Sequence, residues 1–165
     1  MTPEVFVKTF KADAEKHADK LSPVCTLAQA AWESGWANSC PGNMFFGVKD
    51  TDGINGNEQL ITTVEYSRRA DLKFPVILKV EPTVINGVKL FKYTIKDYFR
   101  RYNTPADCFS DHIDFFYKNS RYSEALLHRN DPDRFFDEIA KAEYATDPNY
   151  AKNLKSICKT IKKYI

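Results

Sequence analysis

Residues 27–36, LAQAAWESGW, constrain the fold more than any other stretch of the chain. Leu27, Ala28, Ala30 and Ala31 make a helix that is apolar on most faces and slim enough for neighbouring backbone to come close. Such a helix belongs inside a domain. The segment carries one carboxylate, Glu33, with Trp32 before it and Trp36 after it. A carboxyl group withdrawn from water resists ionisation, so its pKa rises. An acid that stays protonated near neutral pH can protonate a departing glycosidic oxygen. A Glu facing water at a helix end has no such property, and this stretch by itself is compatible with both readings. Trp32 is expected in the core and Trp36 at a groove.

The rest of the chain reads as helices around that segment plus one β insertion. A first helix is predicted over residues 3–19, with Thr2 as N-cap, Pro3 at the first helical position and Phe6, Phe10, Ala14 and Ala18 as its apolar stripe. Ser22-Pro23 opens the central helix, which turns Val24, Leu27, Ala28, Ala31 and Trp32 inward, and Gly35 ends it. Residues 38–43 are a loop and 44–49 a short extended apolar piece. Residues 59–98 form the β part, with β-branched runs at 60–66 and 76–80 and a hairpin turn at Asn86-Gly87. Helices resume after Thr104-Pro105, over residues 120–128, and after Asp131-Pro132 and Asp147-Pro148. The expected class is α+β: a single domain over residues 1–165, mainly helical, with a small antiparallel β lobe flanking a substrate cleft.

Composition narrows the function classes. The 165 residues include 24 Lys and Arg against 22 Asp and Glu, a net charge of +2 that gives no footprint for nucleic acid. The lysines of the last helix, from Lys152 to Lys163, read as a solvated face. No apolar run reaches membrane-spanning length, and the amphipathic N-terminus lacks the apolar core of a secretory signal. Delivery by other means is therefore expected. The four cysteines, Cys25, Cys40, Cys108 and Cys158, have no CxxC spacing. They permit two disulfides, although three of them lie in helical patterns that equally suit buried thiols. His17, His112 and His128 have no ligand spacing, so neither metal nor cofactor is expected.

Four blocks, in order, carry a resemblance. They are LAQAAWESGWANS; Asn43-Met44-Phe45-Phe46-Gly47-Val48-Lys49; Thr62-Thr63-Val64-Glu65-Tyr66; and Tyr144-Ala145-Thr146-Asp147-Pro148-Asn149-Tyr150-Ala151. Together they resemble the glucosaminidase domains of glycoside hydrolase family 73, found in bacterial autolysins, flagellar peptidoglycan hydrolases and phage lysins. The resemblance spans nearly the whole chain. Met44 departs from it, standing where the family commonly has a second Asn, and residues 67–92 look longer than usual.

The resemblance implies a lysozyme-like fold and hydrolysis of the β-1,4 bond after N-acetylglucosamine in the peptidoglycan glycan strand, as an endo-β-N-acetylglucosaminidase. It places the general acid at Glu33 and the second carboxylate at Glu65. Tyr144 then helps hold the N-acetyl group or the developing charge, and Trp36, Asn43, Phe46, Tyr66 and Tyr150 bind substrate. Glu65 as base, Glu65 as nucleophile, and attack by the substrate's own acetamido oxygen all remain open. A muramidase or lytic transglycosylase on the same fold is the alternative enzyme, and a non-catalytic peptidoglycan-binding module the alternative class. Action at the bacterial wall, in the periplasm or outside the cell, implies delivery by a secretion system, holin or phage particle. An antibacterial effector of this kind would also have an immunity protein occluding its cleft.

Overall fold

The computed structural model describes all 165 residues. Its contacts divide the chain into two compact units, one of residues 1–46 and 102–165 and the other of residues 47–101. The first holds six α-helices and the second a three-stranded antiparallel sheet. The class is α+β, as the switch in hydrophobic period predicts.

In the helical unit, α1 (Pro3–Glu15) starts where Thr2 Oγ1 accepts the amide of Val5, and it buries Phe6, Val7, Phe10 and Ala14. It stops short of the predicted residue 19. The chain instead turns through residues 16–20, His17 Nε2 meets the carbonyl of Ala106, and Leu21 drops into the core. Next, α2 (Pro23–Ser34) is buried on almost every side, from Cys25 through Ala31, as its composition requires. A 3-10 turn, Pro41–Asn43, leads towards the β unit. After the β unit, α3 (Pro105–Lys118) begins with a reciprocal capping box between Thr104 and Asp107 and buries Cys108, Phe109, His112, Ile113 and Phe116.

Residues 120–128, expected as one short helix, split into a 3-10 turn (Ser120–Tyr122) and α4 (Ser123–Leu127). Asp131 caps α5 (Pro132–Lys141) through its side chain, as predicted. The last helix, α6 (Tyr150–Ile161), starts later than Asp147-Pro148 suggests. Asp147 accepts the amide of Asn149 and makes a turn ahead of the helix, so Asn149 takes the cap position. Aromatic rings of α1, α3 and α5 pack edge to face around α2 and α6 and supply much of the core.

All four cysteines are free thiols. Three are buried in the core, where loss of water raises their pKa, that of Cys108 to about 12. Of the two cysteine readings, the structure has the buried thiols.

In the β unit, β1 (Glu58–Ser67), β2 (Val76–Ile85) and β3 (Val88–Arg100) are ordered β1-β3-β2. Asn86 and Gly87 both have positive φ, the geometry of a tight hairpin between β2 and β3. Both strands outrun their predicted ends, because pairing continues past the β-branched runs, with a bulge between Ile77 and Lys79. Most of residues 67–92 belong to this hairpin arm. Tyr93, Ile95 and Phe99 form a small buried row on one face of β3. The Tyr93 hydroxyl donates to the carbonyl of Arg69 and pins the loop before β2. No helix is long and apolar enough to cross a membrane.

Candidate active site

Glu33 lies in the last turn of α2, and the helix ends abruptly behind it. Gly35 takes a left-handed conformation and its amide closes on the carbonyls of Ala31 and Trp32. Trp36 and Ala37 follow, also at positive φ. Two successive non-glycine residues in that region are strained, and their surroundings hold them there. Ser34 Oγ accepts the amide of Ala37, and the Trp36 amide reaches back to the Ala31 carbonyl.

This reversal inverts the expectation for the two tryptophans. Trp32 is 40% exposed, whereas Trp36 packs edge-on against Phe6 at 5.4 Å. The helix itself is buried, but the Glu33 side chain reaches its rim and meets solvent. Protein crowded around the carboxyl still raises its pKa, and no neighbouring cation offsets that effect.

Two tyrosines stand beside it. The chain leaves α5 through Glu143, at φ 57°, and this places Tyr144 over the aromatic cluster of Phe116, Tyr122 and Tyr150. Tyr150, on the first turn of α6, is buried against Tyr144 with ring centroids 5.5 Å apart. Burial pushes both phenols well above their usual range, and the nearby charge of Glu33 adds to the effect. Both hydroxyls therefore keep their protons at any pH of interest. Glu33, Tyr144 and Tyr150 all lie in the helical unit, where the charge of Glu33 opposes ionisation of both phenols.

Beneath them runs a buried polar chain that the sequence reading did not assign. Gln29, one helical turn before Glu33, donates from Nε2 to the Tyr150 hydroxyl at 3.1 Å. Its Oε1 lies 3.1 Å from Nε2 of His112. Burial lowers the His112 pKa to about 3, with Asp111 opposing weakly, so the ring is neutral. Phe46 stacks flat on that ring at 3.7 Å and is committed to it. The signal available in the sequence was a lone amide, Gln29, four residues before Glu33 in an otherwise apolar run. Asn43 sits in the 3-10 turn at φ 56°, and its amide group donates to the carbonyls of Tyr102 and Asn103.

In the β unit, Glu65 projects from near the C-terminal end of β1, paired with Tyr93 of β3. Lys49 Nζ lies 3.2 Å from Glu65 Oε1 and 3.0 Å from Asp97 Oδ2, bridging the two carboxylates. The Asp97 hydrogen bond is the main cause of a raised Lys49 pKa. Tyr66 follows Glu65 directly and so points to the opposite face of the sheet, where it is 50% exposed.

The family model for glucosaminidase, described as mannosyl-glycoprotein endo-β-N-acetylglucosaminidase, matches residues 10–163. The peptidoglycan hydrolase FlgJ of Vibrio parahaemolyticus is 30% identical over 94% of this chain and 46% of its own length. The exo-glucosaminidase LytG of Bacillus subtilis is 25% identical over 93% of this chain and 50% of its own. The chain thus spans about half the length of these relatives. Among solved structures, the C-terminally truncated glycoside hydrolase domain of Salmonella typhimurium FlgJ superposes with a TM-score of 0.70 at 27% identity, covering 98% of both chains. The catalytic domain of the Listeria monocytogenes autolysin Auto shares the fold with a TM-score of 0.71 at 21% identity. The chain belongs to the glucosaminidase family, glycoside hydrolase family 73, and is a glycoside hydrolase domain of lysozyme-like fold.

Proposed function

We propose that this domain hydrolyses the β-1,4 bond after N-acetylglucosamine in peptidoglycan strands, acting within the strand, with Glu33 as the general acid. One observation carries the reading: Glu33 is the carboxyl whose pKa burial raises without a compensating cation, and Tyr144 and Tyr150 stand beside it as neutral hydroxyls. A carboxyl whose pKa is raised keeps its proton to higher pH and can deliver it to the departing oxygen. Glu65 is the second carboxylate, and Tyr144 steadies the N-acetyl group. The names and activities of the relatives support the substrate.

Peptidoglycan as substrate places the action outside the cytoplasm, with delivery by a secretion system, holin or phage particle. If the domain is used against a competitor, an immunity protein covering Glu33 goes with it. Mass spectrometry of digested sacculi tests the chemistry. New reducing ends of N-acetylglucosamine are expected. New reducing ends of N-acetylmuramic acid would make the enzyme a muramidase, and 1,6-anhydro ends a lytic transglycosylase. No cleavage would leave a binding module.

A further inference from the structure

The buried chain His112–Gln29–Tyr150 has a direction, and the direction decides what Tyr150 can do. A glutamine side chain offers a donor at one end and an acceptor at the other. Here Nε2 faces the Tyr150 hydroxyl and Oε1 faces His112 Nε2. His112 must then carry its proton on Nε2 and donate to Gln29, which in turn donates to Tyr150. The Tyr150 oxygen is already an acceptor in this arrangement, so its own proton is free to be given elsewhere. In the opposite sense, His112 is protonated on Nδ1 and Tyr150 spends its proton on Gln29.

Three features hold the chain in place. Gln29 is fully buried on the central helix, Tyr150 and His112 are buried on α6 and α3, and Phe46 stacked at 10° to the imidazole fixes its plane. The Glu33 carboxyl, close enough to oppose ionisation of Tyr150, lies one turn along α2 from Gln29.

We propose that Gln29 and His112 are positioning residues that aim the Tyr150 hydroxyl proton at Glu33, so that Tyr150 donates to the Glu33 carboxylate as it forms. A donor already oriented towards a charge that develops only in the transition state accelerates the chemical step and leaves ground-state binding unchanged. The inference rests on Glu33 being the general acid and names what supports it from below.

The test has two arms. In the intact domain labelled with 15N-histidine, His112 should show the neutral tautomer protonated on Nε2. The Nδ1-protonated tautomer overturns the proposal and needs no variant. In kinetics on purified peptidoglycan, Gln29→Met and Tyr150→Phe should each lower kcat by about 10- to 100-fold with KM within about twofold. The double variant should be no worse than Tyr150→Phe alone, since residues acting as a unit do not add. Losses that multiply in the double variant, or a Gln29→Met enzyme with wild-type kcat, overturn the proposal. Glu33→Gln separates the two layers. An inactive Glu33→Gln beside an unimpaired Gln29→Met defeats this inference alone, whereas an active Glu33→Gln defeats the reading on which it rests.

Discussion

Glu33 ends a helix among apolar and neutral groups, whereas Glu65 projects from a strand into an ion pair with Lys49. The two residues are chemically identical, and each scaffold suits a different task. A helix can be buried on most sides because its backbone hydrogen bonds are internal, and α2 holds its terminal carboxyl at the rim of the core, partly desolvated, in contact with solvent and without a cation beside it. A strand at the edge of a small sheet alternates its side chains between two faces, and Glu65 lies half exposed where Lys49 and Asp97 reach it. Surroundings, not residue type, distinguish the two carboxyls.

The largest expected effect comes from the helical side. Glu33→Gln should lower the rate of glycan cleavage by roughly 10³-fold or more, read as new reducing ends, because it would remove the proposed proton donor. The same change should stabilise the fold. The folded pKa of Glu33 is raised, so its contribution to stability is present below the ordinary Glu range and is lost as pH rises through the folded value. Glu33→Gln should therefore melt above the parent protein at pH 7 and alongside it at pH 4. Lost activity with lowered melting at pH 7 would mean misfolding in place of lost chemistry.

Glu65→Gln should cost on the order of 10²-fold in kcat, and recovery of activity with azide would mark Glu65 as the proposed second carboxylate. Lys49→Met should cost less, about tenfold, the worth of one charge-assisted hydrogen bond. Thermal stability should barely change, since all three charges of that bridge are partly exposed. If Lys49→Met matches Glu65→Gln in severity, the lysine does more than hold the carboxylate.

His112 makes the stability of the helical unit depend on pH. Its folded pKa is depressed, so its contribution is full above about 6.5 and is lost as pH falls towards 3. Over that interval unfolding should become steadily easier as pH falls. Denaturant melts of His112→Gln against the parent protein should show the variant's pH dependence flattened there. The smallest effect is expected at Tyr66, on the sheet face away from Glu65. Tyr66→Ala should leave kcat within about threefold and act through KM if at all, a ground-state binding effect.

Much of the fold could be read from local chemistry. Thr2, Thr104 and Asp131 cap helices as their side chains suggest, and Asn86-Gly87 turns the hairpin. Glu33 drew attention because a carboxylate in LAQAAWESGW is out of place. What escaped was whatever depends on contacts between distant parts of the chain. Gln29 meets His112 and Tyr150 across 83 and 121 residues, and no local pattern encodes those pairings. The tryptophans were misjudged for a related reason. Helical spacing placed Trp32 inside, but the three-residue left-handed reversal at Gly35, Trp36 and Ala37 swings Trp36 back onto Phe6 and leaves Trp32 outside. Phe46, expected to bind substrate, has one ring face against the imidazole of His112, a pairing across the chain that no local pattern encodes.

The most direct test of the central claim is to titrate Glu33 itself, following its side-chain carboxyl carbon by 13C NMR beside the pH dependence of kcat/KM. The account predicts a midpoint above the ordinary Glu value of 4.5 that coincides with the alkaline limb of activity. A midpoint at or below 4.5, or an alkaline limb that persists unchanged in Glu33→Gln, would contradict it.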